Sequence, residues 1–212
     1  QLQGLLGAAA STGSGVLGAD AGSVTQDKQL ETSGALSLVS GSNSNGEFLA
    51  EKLGGAGHFG NLEIDEQGHW VYHLDNQRPE VQALGEGANG SQLIDTFLVL
   101  TTDGTKHSIT VTVNGTNDGP VLNTITAATA TEGDAKLTSG TITSTDTDTG
   151  DTATYSTTAN VAGFHLNADG TYTFDPTDGA YNGLAEGDTQ KIIIPVTVTD
   201  GSGGTDTKNL EI

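Results

Sequence analysis

No cysteine and no methionine occur in the 212 residues, prolines number four, and lysine and arginine together only seven. The missing cysteine excludes a disulfide framework, so an extracellular chain of this size must find its staples in metal ions, isopeptide bonds or a well-filled core. The scarcity of basic residues excludes another class of partner. Twenty-seven acidic residues leave a formal net charge of −20, and nucleic acid and anionic membranes, which bind through clustered Lys and Arg, are repelled. Such a chain also repels itself and calls for a counter-cation. No run of about 20 apolar residues is present, so membrane insertion by a helix is not expected. Aromatic residues make up only 5 %, too few to supply both cores and the exposed strip of a carbohydrate-binding module.

Catalytic signatures are missing too. There is no Gly-x-Ser-x-Gly elbow and no phosphate loop. His69 and His73 share a strand face but stand roughly 13 Å apart by strand rise, too far to share a metal. The acidic residues fall in turns without an evident cleft, and the six Lys offer no isopeptide triad. The expectation is a protein that is not an enzyme. The chain begins at Gln1, and Leu2, Leu5, Leu6 and Ala8 to Ala10 lack the basic flank of a signal peptide. A processed product or a piece of something longer is expected.

What is abundant is glycine, 31 residues of it, together with short alternating runs. Ile109, Val111 and Val113 alternate with Ser108, Thr110 and Thr112, the period of two of a half-buried strand. That strand runs into Asn114-Gly115-Thr116-Asn117-Asp118-Gly119-Pro120, whose two Asn, one Asp, two Gly and Pro do not suit a strand interior, and a new β pattern begins beyond it. The stretch reads as an oxygen-rich joint between two β-domains. Residues 1–15 carry no charge and read as a linker; alternatively Leu2, Leu5 and Leu6 donate a strand to a neighbour's open sheet edge.

Two hairpins are legible in the first half. One runs from Phe59 through Asp65-Glu66-Gln67-Gly68 to Leu74, with Trp70, Tyr72 and Leu74 on one face. The other joins Leu93–Thr101 to His107–Val113 around Asp103-Gly104. The second half repeats the plan: Gly170, Tyr172 and Phe174 answer Gly68, Trp70 and Tyr72, Leu184 answers Leu84, and Asp200-Gly201 answers Asp103-Gly104. A repeat of about 100 residues is a whole domain in tandem, and about seven short strands per copy favour a sandwich. The expected fold is all-β, two tandem immunoglobulin-like (cadherin-like) β-sandwiches in an extended arrangement, spanning 16–118 and 119–212. Pro195 marks an edge strand or a bulge.

Calcium takes six to eight hard oxygen ligands, and Ser144-Thr145-Asp146-Thr147-Asp148-Thr149-Gly150-Asp151 is the best local source. In a loop leaving a strand, Asp146 and Asp148 can point the same way and share one ion. Asp118 lies upstream in the joint, Glu132 opens the next strand, and Asp200 sits in the last hairpin turn, at the same end of the sandwich or the opposite one. Crowding these carboxylates without a cation is costly. The spacing is not that of an EF-hand.

The run Gly60-Asn61-Leu62-Glu63-Ile64-Asp65-Glu66-Gln67-Gly68-His69-Trp70-Val71-Tyr72, with Val81-Gln82-Ala83-Leu84 and Asp95-Thr96-Phe97, resembles a VCBS repeat. Residues from Thr131-Glu132-Gly133 through Asp200-Gly201 resemble the related cadherin-like repeats of large bacterial RTX-type adhesins. The resemblance implies a structural segment of a secreted surface adhesin exported by a type I system. It also implies calcium stiffening at the joints, with Asp118, Glu132, Asp146 and Asp148 as ligands. The implied role is to project a distal domain that binds a host or matrix glycan or protein, supporting cell adhesion and biofilm formation, with neighbouring repeats or copies of itself as direct partners. The rival is a filament subunit assembled through the N-terminal tail. The first domain departs from the pattern, with Gln26-Asp27 in place of an acidic pair and Ser-Gly-Ser-Asn-Ser-Asn-Gly at 40–46 in place of an Asp-x-Asp loop. The insertion 88–91 is a candidate contact loop.

Overall fold

The computed structural model describes residues 15–39, 47–86 and 92–212. The chain is all-β, and it divides between Thr116 and Asn117 into two compact units. Leu2, Leu5, Leu6, the 40–46 loop and the 88–91 insertion lie outside the described residues.

In the first unit, β1 (Val16–Gly18), β3 (Glu31–Leu38), β4 (Glu51–Gly54), β5 (Gly60–Ile64) and β6 (His69–Leu74) form one sheet in the order β1-β3-β6-β5-β4. The second sheet has β8 (Lys106–Asn114) at its centre, antiparallel to β7 (Gln92–Leu100) and parallel to β2 (Ala21–Thr25). A single turn of helix, α1 (Pro79–Gln82), bridges β6 to β7 and buries Val81. The inner faces follow the alternation of the sequence: Trp70, Tyr72 and Leu74 are buried while His69 and His73 are exposed. Trp70 fills the middle of the core, its indole donating to the Ala19 carbonyl (2.7 Å). Gly34 lies beneath that ring, where a Cβ would sit 2.6 Å from the indole carbon Cζ2.

The second unit repeats the plan with shorter strands. β10 (Thr138–Thr141), β14 (Thr171–Phe174) and β13 (Phe164–Leu166) make one sheet. β12 (Thr154–Ser156), β15 (Ile193–Thr199) and β16 (Thr205–Glu211) make the facing one, and β9 (Val121–Leu122) pairs with β11 (Ser144–Thr145). The correspondence extends to packing. Gly140 lies beneath Tyr172 as Gly34 lies beneath Trp70, and Gly170, at φ 86°, bonds the Ile142 backbone as Gly68, at φ 87°, bonds Leu36. Leu122, Ile142, Ile194, Val196, Val198 and Leu210 supply the apolar core.

Pro195 sits in β15 between two neighbours, which sharpens the expectation of an edge. β12 opposes only Thr197–Thr199, so the missing N–H of Pro195 faces the side where the ladder has already stopped. Its carbonyl accepts the Thr157 hydroxyl there (2.6 Å).

Candidate metal centre

Pairing of Ser144 with Leu122 and of Thr145 with Val121 holds the start of the 146–151 loop beside the segment that leads into the second unit. Alternation in the loop then turns Asp146 and Asp148 to the same side. Gly150, at φ 93°, adopts the left-handed conformation that swings Asp151 back onto them. One carboxylate oxygen from each of Asp146, Asp148 and Asp151 lies within 4.8 Å of the others. Asp148 is buried at 4 % exposure. Its amide donates to Asp146 Oδ1 (2.9 Å), and its own Oδ2 accepts the Asp118 amide (2.8 Å).

The remaining oxygens carry the argument. Asp146 Oδ2, Asp148 Oδ1, Asp151 Oδ2 and Asn117 Oδ1 are all buried with no hydrogen-bond partner among the described residues. Orphaned buried polar atoms are rare because each forfeits its hydration. Here all four are acceptors, and a cation is a partner that can serve several of them at once. Asn117 lies next to Asp118 in the same segment: its Nδ2 donates to Asp200 Oδ2 (2.9 Å), which leaves its buried amide oxygen without a donor among the described residues. Asp200 in turn is locked by its Oδ1, which accepts the amides of Ser202, Gly203 and Gly204. A Cβ on Gly204 would fall on the Asp200 carboxylate and stand 2.8 Å from Gly119 Cα, so glycine is what lets this turn approach the 117–119 segment.

Electrostatics separates the carboxylates into two kinds. Burial first, then the charges of Asp118, Asp146 and Asp151, hold the Asp148 carboxyl above the ordinary carboxylate range, against a lowering hydrogen bond from the Asp118 amide. Burial and the charges of Asp146 and Asp200 raise Asp151 likewise. Burial pulls Asp200 upward as well, but the Asn117 amide and three backbone N–H groups outweigh it and leave that carboxyl below its usual value. Asp148 and Asp151 are thus carboxylates that lack a positive partner among the described residues, whereas Asp200 is a satisfied positioning group. All-oxygen, carboxylate-rich donation suits a hard divalent cation such as calcium.

The sequence reading placed Asp118, Glu132, Asp146, Asp148 and Asp200 around the ion. Asp146, Asp148 and Asp200 come to the same end, and the Asp118 backbone joins them. Glu132 does not, and a shared site for it is corrected. It is exposed in a groove of ≈ 720 Å³ with Phe174, Tyr181, Leu184, Ile192 and Ile212. That groove sits where Ile192 pairs with Ile212, and Asp200 lies beyond the seven residues of β15, roughly 20 Å away by strand rise. Two contributors escaped the sequence reading. Asp151 was signalled only by its place after Gly150, and Asn117 by nothing beyond its amide.

Residues 117–212 match the model of a family described as "Bacterial Ig domain". No curated protein matches the chain. Among solved structures, Drosophila N-cadherin EC1-4 superposes over 90 % of this chain and 46 % of its own, with TM-score 0.57 and 16 % identity. Protocadherin Gamma C5 EC1-3 covers 90 % and 64 % (TM-score 0.54, 11 % identity), and protocadherin gammaB7 EC3-6 covers 93 % and 47 % (0.54, 12 %). This chain is built of Ig-like, cadherin-like repeats. At these identities the likeness is one of fold, and the chain spans less than two thirds of the length of each of these structures. No helix among the described residues is long and apolar enough to cross a membrane.

Proposed function

We propose that this chain is an extender segment of a bacterial surface adhesin, and that calcium held by Asp146, Asp148 and Asp151 makes it rigid. The coarser role, a surface adhesin or extender, fits a bacterial Ig-type match joined to a cadherin-like fold. The observation that carries the finer reading is the convergence of Asp146, Asp148 and Asp151, each with a buried oxygen that has no hydrogen-bond partner among the described residues. A bound cation would supply the positive charge that Asp148 and Asp151 lack. It would also tie Asn117 and Asp118, the first residues of the second unit, to the 146–151 loop. The covalent link between repeats would then lose its freedom at that point, and a chain of such repeats would hold a distal adhesive domain away from the cell. Secretion, adhesion and biofilm support belong to this reading.

The test is a calcium titration followed by small-angle scattering and thermal melting, with the Asp146→Ala/Asp148→Ala double variant alongside. The reading expects calcium to lengthen the particle and raise the second unit's melting temperature in the parent only. A parent whose scattering and melting ignore millimolar calcium would contradict it.

A further inference from the structure

Two strands that hold the same place in the two repeats differ in how their outer edges are closed. Buried Asp95, Phe97, Val99 and Thr101 on one correspond to buried Ile194, Val196, Val198 and Asp200 on the other. In the second unit β12 covers the end of β15, and Pro195 with its Thr157 cap closes the next stretch. Thr96 stands where Pro195 stands. Among the described residues, the segment that corresponds to β12 touches β7 only at its far end, where Leu49 donates to the Leu100 carbonyl and Thr102 to the Glu47 carbonyl. The chain then leaves as β4 to pair with β5.

That contact fixes which backbone groups face outward. The Leu100 carbonyl points to the open side, and alternate residues of a strand point their backbone groups the same way. The N–H and C=O groups of Ile94, Thr96 and Leu98 therefore face that edge, and among the described residues they have no backbone partner there. The outward side chains of Gln92, Ile94, Thr96 and Leu98 are uncharged, with Ile94 65 % and Leu98 47 % exposed. A long flat edge without Lys, Pro or bulge is the kind that recruits another strand.

We propose that β7 pairs antiparallel with β7 of a second copy of this chain, about a two-fold axis centred on Thr96. In that register Thr96 meets its own counterpart and Ile94 meets Leu98 of the second copy, so the patch is self-complementary, as a two-fold contact requires. The charge pattern favours this occupant. A chain of net −20 repels its own copies over most of its surface, and this row is neutral. One strand pair covers less than the roughly 1,200 Å² of a standard interface, which makes the dimer weak and concentration-dependent. Screening by salt strengthens it, the reverse of a contact between opposite charges. The inference is independent of the calcium reading.

Thr96→Cys introduces the only thiol of the chain. Antiparallel pairing at a hydrogen-bonded site sets the two Cα atoms about 5.5 Å apart, within reach of a short bis-maleimide. In saturating calcium, cross-linked dimer is expected from Thr96→Cys and not from Ser108→Cys, which is exposed on β8. Sedimentation velocity is expected to show self-association of the parent, weakened at least tenfold by Leu98→Lys with the melting temperature kept. Equal cross-linking at both positions, a parent monomeric at every concentration, or a dimer that survives Leu98→Lys would overturn the proposal. So would a dimer lost on deleting residues 1–14, which would make the tail the occupant.

Discussion

The two repeats share one plan and close their ends differently. Where the second unit gathers Asp146, Asp148 and Asp151, the first carries Ser40, Ser42 and Asn45 by sequence. Asp200 falls in the place of Thr101, not of Asp103 as the sequence pattern suggested: Thr101 bonds the Thr105 carbonyl across its turn as Asp200 bonds that of Gly204. Glu132 is exposed in a groove, whereas Gln26, in the corresponding place, is fully buried, accepting the Thr116 amide (3.3 Å) and donating to the Gln82 carbonyl (3.4 Å). The first unit concentrates its buried charge elsewhere. Asp95, 1 % exposed, accepts His58 Nδ1 (2.5 Å), the Phe59 and Gly60 amides and the Tyr72 hydroxyl, and His58 stacks on Phe97. Burial and the Asp95 charge push the Tyr72 phenol up, so that hydroxyl remains a donor. The same scaffold thus tolerates a buried carboxylate in two ways: surrounded by donors in one repeat, crowded among other carboxylates in the other.

The largest expected effect breaks the comparison at the core. Trp70→Ala removes the central ring of the first unit and should cost about 3–5 kcal/mol. Calorimetry should show the first unit's transition falling while calcium still raises the second. A single transition that falls as a whole would mean that the repeats do not melt separately.

Next is the loss of linkage at the oxygen cluster. At free calcium of about 100 times Kd a bound ion adds about 2.7 kcal/mol, and Asp148→Ala should erase most of it. In chelator the sign reverses. Asp148 is raised by burial and its neighbours, so its ionised form opposes folding, and the variant should melt at or above the parent. A variant equally destabilised in calcium and in chelator would mark Asp148 as ordinary packing.

A smaller change sharpens the contrast from the other side. Asp95→Asn keeps the shape of the first unit's hub but removes its charge, and should cost about 1–3 kcal/mol in that unit alone, with calcium affinity unchanged. Chemical denaturation with and without calcium checks both halves.

The pH dependence should be opposite in sign with and without the ion. Asp148 and Asp151 have raised folded values, so in chelator their contribution is lost as pH rises from the ordinary carboxylate range through the raised values. Acidification from neutrality should therefore stabilise the chelated second unit at first. Protonation of Asp200, Asp169 and Asp175, all held low, reverses the trend at lower pH. With calcium bound, protons compete with the ion and the same acidification should only destabilise. Melting scans between neutrality and about pH 4 in both conditions test the crossing.

Much of the fold was legible because it rests on local patterns. The alternation of His69 to Leu74, the Gly68 and Gly170 turns and the repeat of about 100 residues each need only neighbours in sequence. Asp146 and Asp148 were legible for the same reason. Asp151 was not, because its arrival depends on Gly150 turning left-handed, and Asn117 was not, because its role depends on Asp200 taking its nitrogen. Glu132 misled because closeness in sequence to Asp118 says nothing about which end of a sandwich a loop reaches. The open edge of β7 was invisible too: it follows from β4 leaving for the other sheet, a choice between two long-range partners.

The most direct measurement is a calcium titration followed by backbone amide NMR of the full chain. The account predicts saturable shifts at Asn117, Asp118, Asp146 to Asp151 and the Asp200–Gly204 turn, with His58, Gly60 and Tyr72 unmoved. Shifts spread evenly over the acidic surface, or none at the 146–151 loop in millimolar calcium, would contradict it.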